Sequence, residues 1–147
     1  MFEPKNILVP IDFSEHSRIA LKHAASIARK FNARLHVLHV VDDEIQQCFY
    51  DYCLDERIMS QIEEQSARTT AENLQRTLLA LEGMGSVELT TVVRKGKPHE
   101  AILEEQEKKG IDLIVMASRG KSGLLGQLMG SVTDRVLRGA KCPVLVV

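Results

Sequence analysis

Short apolar runs alternate with segments of helical period along this chain. Asn6-Ile7-Leu8-Val9-Pro10-Ile11 reads as a strand buried on both faces, with Pro10 ending its ladder pairing because it has no N–H to donate. Asp12-Phe13-Ser14 turns the chain, and Ser14 is a suitable N-cap for the helix beyond it. In that helix Ala20, Ala24, Ile27, Ala28 and Phe31 recur at helical spacing, and the alanines allow close approach to a sheet. A second strand covers Ala33 to Val41 and stops at Asp42-Asp43. Glu44 to Asp55 has no clean period and reads as a mobile connection. A long polar helix follows over roughly Glu56 to Glu82, with Ala71, Leu74, Leu78 and Leu81 on one face, and Gly83-Met84-Gly85 ends it.

The remaining half repeats the alternation. Val87, Leu89, Thr91 and Val93 alternate with Glu88, Thr90 and Val92, as in a half-exposed edge strand. Pro98 opens a short, weakly amphipathic helix that ends at Gly110. Ile111 to Met116 is a fourth strand. A glycine-rich loop, a helix carrying Val132, Val136, Leu137 and Ala140, and a strand over Pro143 to Val147 follow. This βαβαβαβαβ order predicts a doubly wound α/β fold: a five-stranded parallel sheet with right-handed crossovers and helices on both faces. In such sheets ligands bind beyond the C-terminal strand ends, where the strand order reverses.

The loop after the fourth strand carries the strongest chemical signal. Gly120, Gly123, Gly126 and Gly130 precede Ser131, Thr133 and Asp134 at a helix start. Glycines let backbone N–H groups approach an anion, and the first helical turn adds unpaired donors and the positive dipole end. The loop is not a Walker loop, because Val115 stands where the first glycine belongs, and G-x-G-x-x-G is absent. The segment does resemble the universal stress protein family, whose ATP-binding branch carries G-x2-G-x9-G-[ST]. Gly120, nine residues and Gly130-Ser131 fit that spacing, with Ala117 in place of its first glycine. V-P-I-D-F-S, L-H-V-V-D, G-K-P-H-E-A-I and C-P-V-L-V-V are similar to other family segments, so the resemblance spans nearly the whole chain and is weakest between Asp43 and Gly85.

The resemblance implies strand order 3-2-1-4-5, one nucleotide-binding domain over residues 1–147, and ATP, with Mg²⁺, as ligand. It places Pro10, Ile11, Asp12 and Val40 around the nucleoside. It places Met116, Ala117, Gly120, Gly130, Ser131, Val132 and Thr133 around the ribose and phosphates. The Ala117 methyl crowds the ribose or bars a positive φ, and predicts weakened rather than abolished binding. Asp12 has an ordinary alternative role, bonding nearby N–H groups of its turn.

Other chemistry is poorly supplied. Net charge is −1 and only 4% of residues are aromatic, which argues against nucleic-acid partners. No apolar run reaches a membrane span of about 20 residues. Met1 to Asn6 has no signal-peptide layout, and Cys48, Cys53 and Cys142 form no disulfide framework, so a reduced, cytoplasmic protein is expected. Cys48 and Cys53 lack the second ligand pair of a zinc site. His16 and His23 are seven apart on one helix, His36 and His39 have opposite parity on one strand, and His99 reads as a surface residue. A receiver domain requires an aspartate after the third strand, where Arg94-Lys95-Gly96 stands. No catalytic base or acidic pair for phosphoryl transfer is evident, so a nucleotide-responsive binding module is the expected class. A slow ATPase or phosphotransferase, or an interaction protein with an empty loop, are its alternatives. Val144-Leu145-Val146-Val147 has the pattern of a strand buried on both faces, yet it is uncharged and lies at a sheet edge in the order 3-2-1-4-5, which predicts a homodimer through the last strand, with Leu124, Leu125, Leu128 and Met129 adding apolar contact.

Overall fold

The computed structural model describes residues 1–43, 47, 51, 55–83, 85–120 and 129–147. The elements run β1 (Asn6–Ile11), α1 (Glu15–Phe31), β2 (Arg34–Asp42), α2 (Glu56–Leu79), β3 (Leu89–Gly96), α3 (Pro98–Lys108), β4 (Leu113–Met116), α4 (Ser131–Gly139) and β5 (Val144–Val146). The five strands form one sheet of order β3-β2-β1-β4-β5. All four pairings are parallel, with Ile7 opposite both Leu35 and Leu113, and Val115 opposite Leu145. The doubly wound arrangement follows from strand parity. Ile7, Val9, Leu35, Val37, Leu113 and Val115 face α1 and Leu74 of α2. Leu8, Leu38, Ile114 and Met116 face Ile102 of α3 and Val136 of α4. Strands buried on both sides carry apolar residues of both parities, as β1 and β4 do.

Local chemistry sets the helix ends. Ser14 caps α1, its side chain accepting from the Ser17 N–H at 3.1 Å, and Asn32 closes the helix in the left-handed region at φ 52°. The alanines Ala20, Ala24, Ala25 and Ala28 form the buried face of α1, and Ile27 is only half-buried. Pro98 occupies the first turn of α3, where no intrahelical N–H is needed. Asp112 accepts from the backbone N–H groups of Lys5 and Asn6, tying the start of β1 to the start of β4.

Four expectations are corrected. β1 keeps its pairing with β2 through Pro10 and Ile11, opposite Leu38 and His39. β3 runs on through Arg94, Lys95 and Gly96, which pair with Val40, Val41 and Asp42 of β2, and the Arg94 guanidinium turns toward α3 and donates to the Ala101 carbonyl and to Glu104 and Glu105. On α2, Thr77 is buried and Ala71 is exposed. β5 is not covered on both faces within the chain: Val144 and Val146 are half-buried and Leu145 is exposed. The readings for Cys48, Cys53, Gly123, Gly126, Leu124, Leu125, Leu128 and most of 44–55 lie outside the described residues.

Candidate functional site

The strand order reverses between β1 and β4, which pair with each other while their following helices pack on opposite faces. A cavity of about 600 Å³ opens there, beyond the C-terminal strand ends. That is within the range of about 300–1,000 Å³ common to small-molecule sites.

The β1 wall is Pro10, Ile11 and Asp12. One oxygen of Asp12, Oδ1, accepts from the Ser14 N–H at 2.9 Å and shapes the turn into α1. The other, Oδ2, borders Gly120 so closely that a Cβ built on Gly120 would stand 2.7 Å from it. The first glycine of the loop is therefore where Asp12 needs the room. Phe13, between Asp12 and Ser14, holds φ 65°, an unusual value for a bulky residue. Its ring lies against His39 with centroids 4.4 Å apart. His39 Nδ1 stands 2.9 Å from the Ile11 carbonyl oxygen. A carbonyl only accepts, so Nδ1 carries the proton and donates.

The opposite wall joins β4 to α4. Ala117 is buried, and its carbonyl accepts from the Thr133 hydroxyl at 2.8 Å. The Ser118 carbonyl accepts from the Gly130 N–H at 2.7 Å, and the Ser118 N–H donates to Val147 at 2.9 Å. These bonds draw the two described arms of the glycine loop together. Ala117 is not among the described positive-φ residues, so its place does not require a glycine on conformational grounds. Gly130 is the N-cap of α4 and supplies no side-chain cap. The N–H groups of Ser131, Val132 and Thr133 are thus the first-turn donors that a helix leaves without intrahelical partners. All three residues line the cavity.

Every candidate from the sequence lies on this cavity: Pro10, Ile11, Asp12, Val40, Met116, Ala117, Gly120, Gly130, Ser131, Val132 and Thr133. The lining also includes His39, Asp42, Ser66, Thr70 and Arg119, none of which was expected at the site from the sequence. Arg119 directly precedes Gly120 and had a legible signal, a cation inside a candidate phosphate loop. Ser66 and Thr70 had none. His36, which shares β2 with His39, instead belongs to the core and bonds Thr90 and Asn6. Among the described residues no group of three His, Cys, Asp or Glu is placed to hold a metal ion.

A sequence model of the universal stress protein family matches residues 3–147. The chain belongs to the universal stress protein family. Universal stress protein MJ0531 of Methanocaldococcus jannaschii is 38% identical over 143 residues, covering 97% of this chain and 81% of the relative. The solved structure of protein MJ0577 from the same organism aligns with a TM-score of 0.84 at 31% identity, over 99% of this chain and 96% of that one. A universal stress protein solved in complex with cAMP aligns with a TM-score of 0.62 at 25% identity, over 99% and 98%. The parallel order β3-β2-β1-β4-β5 with helices on both faces is thus a family fold, and its members include a nucleotide binder.

Proposed function

We propose that this universal stress protein binds ATP in the cavity between β1 and β4 and works as a nucleotide-responsive binding module. One observation carries the reading. The side-chain-uncapped N-terminus of α4 and the close-packed arms at Gly120 and Gly130 face the same cavity as Asp12. The helix end and the loop arms supply N–H donors for phosphates, and Asp12 supplies an acceptor for the nucleoside. The residues fit such a ligand. A Cβ on Gly130 would lie 3.4 Å from the Ser118 carbonyl and 3.8 Å from the Gly120 nitrogen, already in contact with backbone, so a side chain branched at that carbon would crowd the cradle. Arg119 brings a guanidinium to the same rim. A divalent cation would enter with the nucleotide. The cAMP complex of a relative supports an adenine nucleotide as the ligand class. We further propose a cytoplasmic homodimer joined along β5, built from one domain spanning the chain.

Calorimetric titration with ATP and Mg²⁺ tests this, followed by product analysis after long incubation. Binding with the nucleotide recovered intact is expected. Gly130→Val adds two methyl carbons where a Cβ already touches backbone on three residues. It should abolish binding while the circular dichroism stays unchanged. Undiminished affinity in that folded variant would place the phosphates elsewhere.

A further inference from the structure

The inner stripe of α2 changes character where it crosses the cavity. Met59 is buried near one end, and Leu74 and Thr77 are buried near the other. Between Glu63 and Asn73 only Thr70 is half-buried, and every other residue is exposed. Helical spacing carries the stripe from Met59 through Ser66 and Thr70 to Leu74. Ser66 and Thr70, one turn apart, are the α2 residues that line the cavity. The helix is therefore anchored at both ends while its middle spans an open space. Apolar residues there would close over the strand ends and fill the site. Small hydroxyl side chains leave it open and polar.

Topology places this wall at one end of the cavity. β2, β1 and β4 are consecutive in the sheet, and α2 is the helix that follows β2. The α4 N-terminus follows β4, two strands away, or about 10 Å at the usual strand spacing. A nucleotide whose phosphates rest on α4 thus directs its base toward Val40, Ser66 and Thr70. Hydroxyls both donate and accept, so a pair of them suits a base edge that carries an amino group beside a ring nitrogen.

We propose that Ser66 and Thr70 contact the base of the bound nucleotide, so that occupancy docks the middle of α2 onto the sheet. This rests on the nucleotide reading of the cavity. Such docking makes α2 the element that reports occupancy on the protein surface, since its outer face is exposed to solvent.

Two measurements test it. Hydrogen exchange on the intact protein, with and without saturating adenosine, reads the amides of residues 60–73. Exchange there should slow by on the order of tenfold, as a solvent-exposed helix middle gains a partner. Ser66→Ala with Thr70→Val keeps shape and removes both hydroxyls. Adenosine and ATP affinities should each fall by about tenfold, the loss expected for two neutral hydrogen bonds. An equal factor for both ligands marks the base end. Nucleotide binding with unchanged α2 exchange, or a folded double variant with unchanged affinities, overturns the α2 contact and leaves the nucleotide site standing. Weakening of ATP alone overturns the placement at the base. No binding of either ligand to the wild type overturns the nucleotide reading and this inference with it.

Discussion

Asp12 divides its carboxylate between two tasks. Oδ1 holds the turn by accepting from Ser14, and Oδ2 faces the glycine loop across a gap that a methyl group would fill. The two tasks can be separated by mutation. Gly120→Ala leaves the turn bond possible but pushes Oδ2 away, since its Cβ would sit 2.7 Å from that oxygen. Adenosine affinity should then fall by about tenfold, the loss of one charge-assisted hydrogen bond, with thermal stability nearly unchanged. Asp12→Ala should lower adenosine affinity similarly and also destabilise the β1–α1 turn. If adenosine binds both variants normally and only ATP suffers, Asp12 serves the phosphate end. His36 makes a different residue-scale prediction. Its Nδ1 lies 2.8 Å from the Thr90 hydroxyl, and its Nε2 lies 3.4 Å from Asn6 Oδ1; a neutral ring satisfies both, accepting from Thr90 and donating to Asn6. Burial, then Lys109 and Arg34, hold its pKa below the ordinary 6.5, against weaker opposing pulls from Glu105 and Glu88. Above that ordinary value the ring is neutral in folded and unfolded chains alike. Below it the unfolded chain takes up the proton more readily, so stability falls as pH drops toward the lowered folded value. Urea midpoints should therefore drop between about pH 7.5 and about pH 5 more steeply in wild type than in His36→Gln. Parallel slopes would assign the acid sensitivity to other groups.

At the scale of elements, α4 is held to β4 by a side chain as well as by packing. The Thr133 hydroxyl donates to the Ala117 carbonyl, both residues being buried. Thr133→Val keeps the volume and strands that carbonyl, which should cost about 1–2 kcal/mol in urea denaturation. It should also lower ATP affinity by loosening the α4 N-terminus, and an unchanged unfolding free energy would mean water replaces the bond. The elements themselves were largely legible. β1 and β4 declare themselves by apolar residues of both parities, α1 by its alanine period, and the glycine loop by its spacing before a helix start. From that alternation the crevice beyond the strand ends follows, and with it the neighbourhood of Asp12 and Gly120. What escaped was set by partners distant in sequence. β3 extends through Arg94 because β2 runs on to Asp42 and offers it pairing partners, and no pattern within β3 announces that. His39 reaches the cavity rim by bonding the Ile11 carbonyl, a contact across 28 residues. Ser66 and Thr70 sit in a polar helix whose sequence is that of any solvated face. Only the cavity beneath them sets them apart.

For the whole molecule the open question is the sheet edge at β5. Among the described residues Val144, Leu145 and Val146 pair with β4 on one side only, and Leu145 retains 38% of its surface exposed. Met129 and Leu137, beside and within α4, are exposed to the same extent. β3, at the other edge, carries Arg94 and Lys95, whereas β5 carries no charge. An uncharged apolar edge invites pairing with another strand, and a symmetric copy of the same edge is its simplest cover. The edge is also wired to the cavity. Val147 donates to the Met116 carbonyl and accepts from the Ser118 N–H, and the Ser118 carbonyl accepts from Gly130, the N-cap of α4. Pairing along β5 would stiffen that chain of bonds and with it the proposed phosphate cradle. Two outcomes are therefore expected together. Light scattering should give a dimer for the wild type at micromolar concentration and a folded monomer for Leu145→Lys. ATP affinity of that monomer should be lower by a factor of a few, within the range of about 5–150-fold typical of coupled sites or just beneath it. A monomeric wild type, or a dimer that survives in folded Leu145→Lys, would remove β5 from the interface. A monomeric variant that binds ATP as tightly as the dimer would leave the interface and break its link to the nucleotide, confining the role of Ser118 to closing the loop.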